Sequence, residues 1–227
     1  MRFQAPESLS EQIARHVGQR IITRELKPGE RVQELKVSGE LNVSRGSVRE
    51  ALLILERRHL VNIFPRRGAV VSSLTPESVN SLYDIYINLL CMLGRKVLER
   101  WRGDELGGMI GQVRELRTVI DAVELTGADA AEQVIEAGFG VMKYAYGLVE
   151  NPFLEETLEN FRPAISRTYF VALEQYREEI GATATFFHQL AEAANSGDVD
   201  KLQAVIRTFG ERQRERVLTI LRKEASS

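Results

Sequence analysis

The run Asn42-Val43-Ser44-Arg45-Gly46-Ser47-Val48-Arg49-Glu50-Ala51-Leu52 gathers the residues best suited to chemistry with a polyanion. Arg45 and Arg49 are four apart, so on a helix both project from one face of its first turns. Guanidiniums placed there suit phosphate oxygens and guanine edges alike. Ser44 and Ser47 add hydroxyls at the start of the same helix. A second basic point follows at Pro65-Arg66-Arg67-Gly68. Folding does not require two arginines at a hairpin tip. Gly68 lets the chain turn, and Arg66 and Arg67 can then reach a groove or backbone beside the helix. The alternative is a solvated basic loop.

The elements around these residues are legible from punctuation and periodicity. Ser8 and Glu11 form a capping-box pair at the start of a helix whose apolar stripe is Leu9, Ile13, Val17 and Ile21. Lys27-Pro28-Gly29 predicts its end near Leu26. A second helix is expected over Val32–Glu40, with Asn42 at a turn that wants positive φ. A third is expected over Ser44–Arg58, burying Val48, Ala51, Leu52 and Leu55. Strands are expected at Leu60–Phe64 and Ala69–Ser72. Thr75-Pro76-Glu77 reads as cap, first helical position and dipole-favouring acid. Six amphipathic helices then follow at about 76–101, 104–125, 128–149, 151–176, 177–195 and 198–224. They are separated at Gly103, Thr126-Gly127, Asn151-Pro152 and Asn195-Ser196-Gly197-Asp198. The fold class is mainly α. A winged helix-turn-helix with a small β-wing is expected over 1–73, and an antiparallel all-α bundle over 74–227.

Charge is divided between these parts. Residues 1–72 hold 13 Lys+Arg against 8 Asp+Glu, and residues 73–227 hold 17 against 24. A basic end on an acidic body suggests a polyanion partner confined to one end. A single cysteine, Cys91, excludes an internal disulfide and fits a cytoplasmic protein. No apolar run reaches the ~18 residues of a membrane span, and residues 1–10 lack a signal-peptide core. No Gly-rich phosphate loop, nucleophile elbow or metal motif argues for an enzyme. Glu136 and His188 could serve acid–base chemistry, but they stand without other catalytic signals.

The motifs resemble the winged helix-turn-helix of GntR-type transcriptional regulators. Leu26-Lys27-Pro28-Gly29-Glu30, Val43 to Leu52, Leu55-Glu56 and Pro65-Arg66-Arg67-Gly68 carry the resemblance. The helical remainder looks like the FCD ligand-binding domain of the FadR branch. The resemblance implies a homodimer on double-stranded DNA, reading a short palindromic operator, with an effector pocket in each bundle. It implies DNA contacts from Ser44, Arg45, Gly46, Ser47 and Arg49 on the recognition helix, and from Arg66, Arg67 and Gly68 on the wing. Leu35 and Gly46 stand where relatives more often carry polar residues, which alters the expected operator.

Many domains of this type hold a divalent metal through an Asp and three His. Here Gly140, Phe187 and Phe209 match the three histidine positions, and His188 is only a neighbour of one. Tyr86 and Leu90 stand where the family pattern has Arg and Glu. No metal and no cofactor are therefore expected. The implied pocket residues are Tyr86, Leu90, Gly140, Tyr144, Arg167, Phe187, His188 and Phe209. Their character points to an apolar effector, a fatty acyl-CoA or fatty acid, as for FadR itself, although Arg212 and Gln213 depart from the acyl-CoA pattern after Gly210. The alternative for Phe187 and Phe209 is core packing. The expected function is a repressor released by its ligand. A regulator sensing a small carboxylate, an enzyme in the helical domain and a ligand-free architectural DNA binder are the alternatives. The charged run Glu211 to Arg216 reads as a solvated helix face, with phosphate binding as a further option.

Overall fold

The computed structural model describes residues 7–100, 105–122, 128–176 and 178–226. The breaks expected at Gly103 and Thr126-Gly127 lie outside them. The chain forms two compact units, one of residues 1–74 with 160–167, the other of 75–159 with 168–227.

The first unit begins with α1 (Leu9–Ile22), where Ser8 Oγ accepts from the Glu11 amide at 3.2 Å. The helix stops four residues before the expected Leu26. Arg24 takes a left-handed φ of 62°, and the Leu26 amide turns back to the Arg20 carbonyl. That reversal sends Leu26 into the core instead of along the helix. Ile13, Val17 and Ile21 are buried as their spacing requires, but Leu9 lies outside the core at 49% exposure.

α2 (Glu34–Leu41) ends on Asn42, in the left-handed conformation at φ 52°. α3 (Arg45–Arg57) packs Val48, Ala51, Leu52 and Leu55 against α1 and α2. β1 (Val61–Phe64) and β2 (Gly68–Val71) pair antiparallel, with Val61 opposite Val71 and Phe64 opposite Gly68. Val61, Ala69 and Val71 close the same core.

The second unit is helical. Its elements are α4 (Pro76–Arg100), α5 (Glu105–Ala122), α6 (Ala128–Val149), α8 (Glu178–Asn195), α9 (Val199–Ala225) and the two ends of α7 (Pro152–Gln175), whose residues 160–167 fall in the first unit. Three of these starts have a visible local cause. Thr75 and Ser78 exchange side-chain and backbone hydrogen bonds at 3.2 and 2.9 Å ahead of α4. Asn151 Oδ1 accepts from Leu154 N before α7, and Asp198 Oδ1 accepts from Lys201 N before α9. α4 packs on α9 and α6, α5 on α6 and α8, and α8 on α9.

The α4–α9 seam is close because two glycines meet side chains there. A Cβ on Gly94 would lie 2.6 Å from Leu202 Cδ2, and one on Gly210 2.6 Å from Ile87 Cγ1. Gly210, the residue matched above to an acyl-CoA site, thus serves the helix crossing. Cys91 is buried at the same seam, its Sγ 3.9 Å from the Gln203 carbonyl.

Candidate nucleic-acid interface and ligand cavity

The first turn of α3 is built before it can bind anything. Ser44 is its N-cap, with Oγ accepting from Ser47 N at 3.0 Å and lying 2.9 Å from Ser47 Oγ. The two serines therefore have a folding role first. Arg45 and Arg49 remain out in solvent, with side chains 55% and 63% exposed. A Cβ on Gly46 would meet Ser44 Oγ at an ordinary contact distance of 3.6 Å. Amides at a helix N-terminus and two guanidiniums on one face form a surface for phosphate oxygens and base edges.

Both arginines share a partner that the spacing did not reveal. Glu34, at the start of α2, holds Arg49 Nε at 2.8 Å and has Arg45 Nη2 at 3.9 Å. Leu35, its neighbour, is 67% exposed.

The wing tip is a β-turn, with Arg67 N donating to the Phe64 carbonyl at 3.2 Å. Pro65 fills the second turn position and Arg66 the third, at φ 63°. Positive φ at that position is the type II arrangement that favours glycine. Arg66 holds it instead, and Gly68 takes φ 75° beside it. The Arg67 guanidinium lies over the exposed Phe64 ring at 5.7 Å.

Inside the helical unit a cavity of about 50 Å³ is lined by α4, α6, α7, α8 and α9. Phe186 and Phe209 stack at 4.1 Å, Phe187 meets Phe186 edge-on at 4.9 Å, and Tyr169 meets Phe209 edge-on at 6.3 Å. Tyr86, Leu90, Phe187 and Phe209 are on its wall. Gly140, Tyr144, Arg167 and His188 are not. Gly138 lines it in place of Gly140, because α6 turns Gly140 toward Gln112 and Tyr144 against Gly108. His188 points to solvent, 66% exposed and 3.7 Å from Glu192. Arg167 belongs to the first unit, where Nη1 donates to Ser72 Oγ at 3.1 Å. Burial, then the neighbouring Arg24 charge, lowers its pKa to about 10.

Burial raises the Tyr86 phenol well above its ordinary range, with Tyr169 adding to the effect. Tyr169 is raised by burial as well. Both keep their protons at neutral pH. A second cavity of about 40 Å³ adjoins the first, sharing Leu90, Met142 and Phe186 with it. Among the described residues no three His, Cys, Asp or Glu side chains group as metal ligands, and no helix is long and apolar enough to cross a membrane.

Residues 9–71 match the family model for bacterial regulatory proteins of the gntR family, and residues 81–211 match the FCD domain. The chain belongs to the GntR family and carries an FCD domain. GntR proteins of this architecture are transcriptional regulators, not enzymes. Among curated relatives, the chain is 33% identical to the HTH-type regulator YdhC of Bacillus subtilis over 41% of this chain and 42% of that one. It is 31% identical to the gluconate operon transcriptional repressor of Bacillus licheniformis over 47% and 43%. These alignments span less than half of either relative's length. The repressor RspR of Escherichia coli is 21% identical over 74% of this chain and 71% of that one. The E. coli McbR/YncC structure superposes with a TM-score of 0.76 at 19% identity, covering 95% of this chain and all of the other. A GntR structure from Rhodococcus sp. RHA1 gives 0.72 at 22% identity, covering 94% and 99%. At those identities the two structures establish the fold.

Glu34 and Gln213 are the functional candidates that sequence reasoning missed in this GntR chain. A carboxylate one helix ahead of an Arg-x-x-x-Arg pair is the only signal for Glu34. For Gln213, the signal is its place four residues after Phe209 on the same helix face.

Proposed function

We propose that this GntR-family chain is a homodimeric repressor that reads a short palindromic operator and releases it when an apolar ligand enters the FCD cavity. One observation carries the DNA half of the reading. Arg45 and Arg49 stand exposed on one face of the first turns of a capped α3, where base edges and phosphates are reached together. Arg66 and Arg67 at the wing support a second contact. The 1–73 part then acts as DNA reader and the 74–227 part as effector and dimer domain. Relatives named as repressors support the sign of regulation.

The ligand half is supported by a cavity walled by Leu90, Phe186, Phe187 and Phe209. Fatty acids and acyl thioesters share that apolar character. Their chains exceed about 50 Å³, so they require side chains such as Met142 to move and join the two cavities. A dry cavity that admits benzene measures about 150 Å³.

Selection of the full chain against a random duplex library tests the reading. Enrichment of a two-fold symmetric site is expected, bound with a steep salt dependence. Recovery of no sequence preference would overturn it.

A further inference from the structure

Glu179 is the most deeply buried carboxylate of the helical unit, with no exposed surface, at the start of α8. It accepts from Arg212 Nη2 at 2.8 Å and Arg216 Nε at 3.0 Å on one oxygen, and from Gln213 Nε2 at 2.9 Å on the other. The guanidiniums are obligate donors, so the carboxylate between them is an acceptor. That fixes the Gln213 amide. Its nitrogen must face Glu179, and its oxygen is left to the cavity that Gln213 lines. Gln213 is 3% exposed, and the side-chain hydrogen bond it makes to Glu179 runs through Nε2, not Oε1.

Thr183 lines the same cavity, and its hydroxyl proton is already given to the Glu179 carbonyl at 2.8 Å. What that oxygen has left is acceptor capacity as well. Among the described residues, the nearby cations Arg212 and Arg216 are committed to Glu179. Tyr86 and Tyr169 can donate or accept, according to how the hydroxyl turns. The cavity therefore presents two fixed acceptors, two adaptable hydroxyls and an aromatic wall.

We propose that Gln213 is the specificity-determining residue of this cavity, and that its ligand is a compact neutral molecule bearing an O–H or N–H donor on an apolar body. The proposal rests on the reading of an apolar effector above and, within it, sets aside free fatty acids and acyl thioesters in favour of a neutral ligand. A carboxylate would bring acceptors against Gln213 Oε1 and Thr183 Oγ1 and a buried charge with no cation to meet it, which is costly. A pure hydrocarbon would leave the amide oxygen unpaired.

Phenol, toluene and benzoate form a matched test set, each needing the same movement of side chains such as Met142 to join the two cavities, and are titrated into the full-length protein by calorimetry at neutral pH. Phenol should bind about tenfold more tightly than toluene, the size of one neutral hydrogen bond in a buried site. Benzoate should bind more weakly than either. Gln213→Leu should bring the phenol-to-toluene ratio close to one. Thr183→Val, a milder change, should reduce it in the same direction. Circular dichroism melting of both variants confirms folding, and either folded variant serves. Benzoate binding as tightly as phenol overturns the proposal, as does an unchanged ratio in the variants or silence with all three compounds. The readout is occupancy of the cavity, not release of DNA, so its failure is separable from failure of the regulator reading.

Discussion

Glu34 Oε2 and Arg49 Nε lie 2.8 Å apart, across the turn that joins α2 to α3. The pair sets the direction of a guanidinium that would otherwise sweep freely in solvent. Arg45 leans to the same carboxylate at 3.9 Å. An exposed ion pair of this kind contributes little to stability, about 0–1 kcal/mol. On the proposed reading of α3 as the DNA-contacting helix, its value lies in aim and in a charge that nonspecific phosphate must displace.

Glu34→Gln should therefore raise affinity for scrambled duplex several-fold at low salt and narrow the gap to the selected operator. Fluorescence anisotropy on both duplexes across a salt series measures this. A parallel gain on both would show that Glu34 acts as bulk charge and has no aiming role.

The two arginines should separate by role. Loss of a bidentate base contact costs about 1–3 kcal/mol and relaxes the preference at one position. Loss of a phosphate contact weakens every sequence alike and lowers the salt slope by about one. Arg45→Ala and Arg49→Ala, each titrated on the operator and on single-base variants, assign each side chain to one behaviour. Full operator affinity in both variants would remove α3 from the interface.

Arg66→Gly places at the wing tip the residue its φ of 63° favours. Folding should be as stable as before or better, by up to about 1 kcal/mol. Operator affinity should nonetheless fall. Thermal unfolding and anisotropy on the same sample give the two signs.

At the α4–α9 seam, Gly210→Ala would drive a methyl onto Ile87, 2.6–2.8 Å from two of its carbons. A loss of about 1–3 kcal/mol in urea unfolding is expected. Ile87→Val in the same chain should recover part of it by removing a terminal methyl. Additive losses in the double variant would contradict the direct contact.

Glu179→Ala should cost stability as well. Gln213 Nε2 loses its partner in a buried site, at about 1–3 kcal/mol. The half-exposed arginines can turn to water and add less.

The sequence carries local signals well and tertiary ones poorly, and this chain shows where the line falls. Thr75-Pro76, Asn151-Pro152 and Gly197-Asp198 place helix starts within a residue or two, because capping involves only neighbours. α1 ends early because Arg24 adopts a left-handed turn that arginine seldom prefers. The wall of the cavity was half legible. Tyr86, Leu90, Phe187 and Phe209 are there, but the rotation of α6 is set by Tyr144 packing on Gly108 of α5, a relation 36 residues long. The charged run in α9 read as a solvated face. In the structure Arg212 and Arg216 tie α9 to Glu179 of α8, and Arg214 ties it to Asp84 of α4 at 2.8 Å. Those partners lie 33 to 130 residues away, beyond any helical periodicity.

Cys91 gives the molecule a built-in clock. It is the chain's sole thiol, shut into the α4–α9 seam. A thiol reagent should reach it faster when the two helices part. The rate of that single modification, followed with and without a cavity ligand, would time how often the bundle opens and whether an occupant holds it closed.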